Sequence, residues 1–231
     1  MRRAAALPAA AREVLEILGR VDFATLEQLT HWHRCQRPAV TKAVARMATL
    51  GLVDVLRTAR PHILGPTGRG RRAGGLPESS GHGVRSFAAR AHCCHRNAAE
   101  IRLATHFPGF RFARREALYP LGLNPCHGEH WGRGEDGVWT LVLLDDYLMP
   151  PTRIPRAWAR RHRPRAGYAD PVPRYPGDFA ERLVVIATDA AQAARHRRYL
   201  ERADVRGAFR TSAGAPVVPA LLHLPALWGT L

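Results

Sequence analysis

The sequence predicts a mixed α/β (α+β) protein of two domains, and three observations carry that expectation. The first third has apolar residues at helical spacing, broken by turn signals, and ends in two short apolar–polar strands. The second part opens on one long helix and then changes to strands. Among these, Trp139–Leu144 and Leu183–Ala187 have the continuous apolar character of a buried sheet. Between the two parts, Leu76–Gly83 is turn-rich, and the boundary is placed there, giving domains 8–75 and 84–231.

Ala9–Leu18 is an amphipathic helix with Val14, Leu15 and Leu18 inward and Gly19 at its end. Thr25-Leu-Glu-Gln28 is a capping box, in which threonine and glutamine each satisfy an orphan amide at the start of a second helix. Leu26, Leu29 and Trp32 follow on its inner side, and Arg34-Cys35-Gln36 makes the turn into a third helix. In Arg37–Leu50 the apolar residues Val40, Val44, Met47 and Leu50 form one stripe at about 100° per residue. The opposite stripe holds Thr41, Lys42, Ala45, Arg46 and Thr49, with no acid among them. Pro38 suits a first helical turn and Gly51 a left-handed stop. Val53–Arg57 and His62–Leu64 pair as a hairpin through Thr58-Ala-Arg-Pro61.

Three helices and a hairpin in this order read as a winged helix-turn-helix, and a helix with a small, basic outer face suits the major groove of double-stranded DNA. The expected DNA contacts are Arg37, Thr41, Lys42, Arg46 and Thr49 on the helix, with Arg57 and Arg60 on the wing. Gly65–Gly75 reads as a mobile, glycine-rich continuation that offers Arg69, Arg71 and Arg72 to phosphates. The plainer alternatives are a core helix with a solvated face and a flexible linker.

In the second domain, Val84–His106 is a long helix and Phe110–Leu118 a candidate strand. Gly128–Arg133 and Val138–Leu144 flank a hairpin turn at Gly-Glu-Asp-Gly137. Pro150–Pro176 is rich in proline and arginine and has no useful periodicity. Ala190–Arg202 is an arginine-studded helix, and Phe209–Trp228 closes the sheet.

The 231 residues carry a formal net charge of +16, which favours polyanionic partners through counterion release. Of the 35 Lys+Arg residues only Lys42 is lysine, so part of the charge reflects the alanine and arginine usage of a GC-rich genome. With 46% hydrophobic residues the chain is globular. Cys35, Cys93, Cys94 and Cys126 form no disulfide framework, as expected in a reducing compartment. The opening Met-Arg-Arg-Ala-Ala-Ala-Leu-Pro runs into a charged amphipathic helix and is not read as a signal peptide. No run approaches the ~18 apolar residues of a membrane span, so the expectation is no membrane partner and a bacterial cytoplasmic location.

The order of elements resembles the replication-relaxation family of plasmid and integrative-element proteins, which includes mobilisation relaxases of one class. The resemblance runs through Ile63-Leu-Gly-Pro-Thr-Gly68, His92-Cys-Cys-His-Arg-Asn-Ala-Ala-Glu-Ile101, Arg114-Arg-Glu-Ala-Leu118 and Leu183-Val-Val-Ile-Ala-Thr188, most of the chain. It implies a second domain with a restriction-endonuclease-like fold. There, acids on a hairpin and a lysine two residues past the second acid hold a metal and activate water. The candidates are Glu129, Asp145 and Asp146, but Tyr147 and Leu148 stand where the lysine belongs, and Lys42 is the only lysine in the chain. Arginine cannot act as that base. The acids are therefore read as vestigial, and the domain as a degenerate nuclease.

Other constellations are weaker. His31-Trp-His33 imitates a nickase metal motif, but on a helix residues two apart face away from each other, and the histidines are placed at the DNA-facing turn. His92, Cys93, Cys94 and His95 with Cys126, His127 and His130 contain zinc-type ligands without a CxxC pair. Tyr119, Tyr147, Tyr168, Tyr175 and Tyr199 lack an activating constellation. The leading expectation is a non-catalytic DNA-binding accessory protein of a mobile element, acting in plasmid-type replication or conjugative mobilisation. Its partners would be double-stranded DNA and relaxase or other mobilisation proteins, with a homodimer as one arrangement. It would need no cofactor. The alternatives are a nickase or relaxase using Mg²⁺ and a winged-helix transcriptional regulator.

Overall fold

The computed structural model describes residues 7–33, 35–76, 86–118, 128–146, 148–160, 181–211, 214–224 and 227. The chain is mixed α/β and divides into two compact units, Met1–Ala98 with Leu227–Leu231, and Ala99–Ala226.

The first unit begins with α1 (Ala9–Val21), α2 (Leu26–Trp32) and α3 (Arg37–Thr49). Val14, Leu15 and Leu18 of α1, Leu29 of α2, and Val40, Val44 and Met47 of α3 are buried in one core. The capping box forms as expected. Gln28 N–H donates to Thr25 Oγ1 (3.3 Å) and Thr25 N–H to Gln28 Oε1 (3.1 Å). Leu50 departs from the expected stripe. The helix ends at Thr49, Gly51 turns the chain at φ +66°, and Leu50 is left 41% exposed while Leu52 enters the core. An antiparallel hairpin follows, β1 (Val53–Leu56) and β2 (Ile63–Pro66), with Val53 opposite Pro66 and Leu56 opposite Ile63.

The stretch expected to be a mobile linker is instead built around a short helix, α4 (Gly68–Ala73). Thr67 caps it, accepting from Gly70 N–H at 3.0 Å and donating to the Gly51 carbonyl at 2.7 Å. The glycine at position 70 serves packing, not freedom, since a Cβ there would collide with the Leu52 carbonyl. The first turns of α5 (Phe87–Ala104) close the unit. Ala91 and Cys94 join Ala59 and Ile63 in an apolar cluster. Gln28 Nε2 donates to the Cys94 carbonyl (2.7 Å) and Asn97 Nδ2 to the Phe23 carbonyl (2.7 Å).

The second unit holds a five-stranded sheet in the order β3 (Arg111–Phe112), β4 (Glu129–Arg133), β5 (Trp139–Asp145), β6 (Glu181–Ala187), β7 (Ala220–His223). The β3–β4 and β4–β5 pairs are antiparallel, β5–β6 and β6–β7 parallel. The strand expected over Phe110–Leu118 is only two residues long, and Arg115–Leu118 turns into a short helix, α6. The sequence Arg-Glu-Ala-Leu is made of good helix formers, which explains the switch.

The proline-rich excursion contains α7 (Arg153–Arg160), whose Ile154, Ala157 and Trp158 are buried against Leu141, Leu143, Leu183 and Val185. The alternate residues Val142, Leu144, Val184 and Ile186 meet Ala99 and Leu103 of α5 on the other face. Helices α8 (Ala190–Leu200) and α9 (Ala203–Arg206) complete the unit. No described helix is long and apolar enough to cross a membrane.

Candidate nucleic-acid interface

Helix α3 presents its outer face because Val40, Ala43, Val44 and Met47 are drawn into the core by packing on α1 and α2. Arg37, Thr41, Lys42, Ala45, Arg46 and Thr49 are all exposed. The two threonines differ from expectation in what they offer. Thr41 donates its hydroxyl hydrogen to the Arg37 carbonyl (3.0 Å) and Thr49 to the Ala45 carbonyl (3.1 Å). This back-bonding to the residue four before commits the hydroxyl hydrogens inside the helix. Arg37 is also engaged, 3.0 Å from Glu27 Oε1 in an exposed ion pair.

The hairpin lies beside α3. Arg57 is exposed just past β1, and Arg60 is exposed in the turn. Between helix and hairpin runs a groove of about 590 Å³ with Leu26, Val44, Val55 and Leu64 in its walls and Thr41, Thr49, Arg57 and His62 along its edges. No local pattern of residues announces this groove, because its walls come from four separate elements.

Arg69 and Arg72 are exposed on α4, but Arg71 is not a phosphate-facing residue. It is buried, and its Nη2 lies 2.6 Å from Asp22 Oδ1, the residue that ends α1 in a left-handed conformation (φ +63°). Helical order in this stretch turns Arg71 inward, which a linker reading could not foresee.

His33, expected at a DNA-facing turn, is turned inward as well. It is buried, and its Nδ1 accepts from the Cys35 N–H at 2.9 Å, so its Nε2 carries the hydrogen and points to the Ala10 carbonyl at 3.2 Å. Glu13, His33 and Cys35 gather their donor atoms within 4.8 Å, but both imidazole nitrogens are already used. That arrangement is a structural clasp between α1 and the end of α2. Cys94 lies in an apolar cluster where burial, above all, pushes its thiol up and away from the thiolate that zinc requires. Cys126 and His127 lie outside the described residues, as do Tyr119, Tyr147, Tyr168 and Tyr175.

In the second unit, strand register puts Glu129 opposite Leu143, and Asp145 two residues further along on the same face. Both acids are turned to structural work. Glu129 is buried, with Arg153 Nη2 at 3.9 Å. Asp145 has a fully buried side chain whose Oδ1 accepts from Met149 N–H (2.6 Å) and whose Oδ2 accepts from His196 Nε2 (2.7 Å). A metal at Asp145 would have to displace one of these bonds. Asp146 is half-buried at the strand end. His196 is the partner that sequence reading missed, since 51 residues separate it from Asp145.

No family model matches the chain, and no curated protein matches it.

Proposed function

We propose that the first unit is a winged helix-turn-helix that binds double-stranded DNA, with α3 in the major groove and the β1–β2 hairpin as the wing. The observation that carries this reading is the exposed face shared by α3 and the hairpin. Lys42, Arg46, Arg57 and Arg60 are exposed there, and α3 contains no acid. Such a surface releases counterions on meeting phosphate and can place an arginine against base edges. The formal charge of +16 supports the same partner.

The second unit then acts as a further DNA or protein contact surface without being the catalyst, and a relaxase or other mobilisation protein fits as its partner. The buried bonds of Asp145 and the absence of any lysine but Lys42 speak against a nickase that uses this acid. Resemblance to replication-relaxation proteins supports a role in plasmid-type replication or conjugative mobilisation.

The test is fluorescence anisotropy on labelled duplex DNA with the full chain and a variant carrying Lys42→Ala, Arg46→Ala, Arg57→Ala and Arg60→Ala. The variant should bind at least tenfold more weakly while unfolding at an unchanged midpoint. Equal binding by the two proteins would remove the proposed face.

A further inference from the structure

We infer that the groove between α3 and the hairpin reads thymine methyl groups, so the DNA favoured by this protein carries C5-methylated pyrimidines in the major groove. The inference rests on the DNA-binding reading above and adds the chemistry of the bases.

Three observations lead there. The groove is apolar in its walls, with Leu26, Val44, Val55 and Leu64 supplying the surface. Thr41, Ala45, Ala48 and Thr49 line its helix side, and they offer it little but methyl groups, because Thr41 and Thr49 turn their hydroxyl hydrogens back to the carbonyls of Arg37 and Ala45. At about 100° per residue these four positions fall within about 100° of one another on α3, with Lys42 and Arg46 about 20° and about 60° beyond Thr49.

Cations flank the groove on both sides, Lys42 and Arg46 on the helix and Arg57 on the hairpin. A purely apolar partner would leave these charges without a counterpart. A DNA duplex satisfies both parts, since its phosphates run beside the major groove and the only apolar group projecting into that groove is the thymine C5-methyl. Occupancy by DNA is therefore favoured by charge complementarity over a protein helix.

Each methyl transferred from water into the groove should contribute about fourfold in affinity, as for one buried CH₂. The probes are two-turn duplexes of alternating adenine and thymine, and the same duplexes with deoxyuridine in place of every thymine. A second pair sets alternating guanine and cytosine against guanine and 5-methylcytosine. Within each pair only C5-methyls differ.

The full chain should bind the thymine duplex at least fourfold tighter than the deoxyuridine duplex, and the 5-methylcytosine duplex tighter than the cytosine one. Thr41→Ser with Thr49→Ser keeps the back-bonds and removes two methyls. It should bring both ratios toward one and leave the salt dependence unchanged. Equal binding within each pair, with steep salt dependence retained, would overturn methyl reading and leave DNA binding standing. Ratios unchanged in the double-serine protein would overturn the assignment to this groove. Failure to bind any duplex would overturn the underlying DNA-binding reading, and this inference with it.

Discussion

Arg71 Nη2 stands 2.6 Å from Asp22 Oδ1, with the arginine side chain 7% exposed and the aspartate 32%. The pair fastens α4 to the residue that ends α1. Removing the arginine deletes this ion pair and opens a gap where its stem was packed. Because Asp22 retains some access to water, the expected cost of Arg71→Ala is about 1–3 kcal/mol, below that of a fully buried pair. Urea unfolding should register this loss, whereas Arg72→Ala, on the exposed side of α4, should stay within about 0.5 kcal/mol of the parent.

Base reading and phosphate positioning should separate between α3 and α4. Arg46 lies on the exposed face of a regular helix, where a guanidinium can fork to guanine O6 and N7. Arg46→Ala should cost about 1–3 kcal/mol on duplexes selected from a random pool and flatten the preference over unselected DNA. Arg69→Ala with Arg72→Ala should weaken both kinds of DNA alike. Competition binding at two salt concentrations distinguishes the two behaviours.

Local chemistry made part of this legible in the sequence. The Thr25–Gln28 capping box, the buried positions Val40, Val44 and Met47, the Gly51 stop and the hairpin strands are set by spacing and by backbone preference within a few residues, and the structure carries them. The sheet strands β5 and β6 were visible for the same reason, as unbroken apolar runs. What escaped depends on distant neighbours. Gly70 looked like freedom and proves to be a close approach to Leu52, which turns a linker into α4 and sends Arg71 inward. Asp145 reads as a vestigial metal acid in the sequence, and only the fold brings His196 against it from 51 residues away. Helix α7 was in principle readable from Ile154, Ala157 and Trp158 at positions i, i+3 and i+4, but proline and arginine around it masked the period.

Asp145 and His196 are both fully buried, so each depends on the other. His196→Ala would leave the carboxylate in the interior with only the Met149 amide, and should cost about 3–5 kcal/mol in chemical unfolding. Asp145→Asn keeps an acceptor for that amide and should cost less. A loss below about 1 kcal/mol for His196→Ala would mean that α8 is held to β5 by packing alone.

Acid sensitivity should reach the Asp136–Arg182 pair late. The Arg182 guanidinium, 2.7 Å from Asp136, holds that carboxyl below the usual carboxylate range, chiefly through their hydrogen bond. A depressed folded value means that the stabilisation is present above the unfolded value and is lost as pH falls through the folded one. Both groups are partly exposed, so the contribution is about 0.2–1 kcal/mol. Asp136→Asn should be less stable than the parent by this amount near neutrality, and the two unfolding curves should converge in strong acid. Curves that stay parallel down to the lowest pH would contradict the assignment.

The salt dependence of DNA binding tests the central claim most directly. Lys42, Arg57 and Arg60 each meeting a phosphate, with Arg46 on a base edge, would contribute a slope of about −3 to a plot of log affinity against log salt, at about −0.9 per contact. The four-alanine variant should lose most of that slope, while the parent keeps it on unrelated duplexes. A nearly flat plot for the parent protein would contradict the account, because a face of exposed cations that binds DNA cannot do so without releasing counterions.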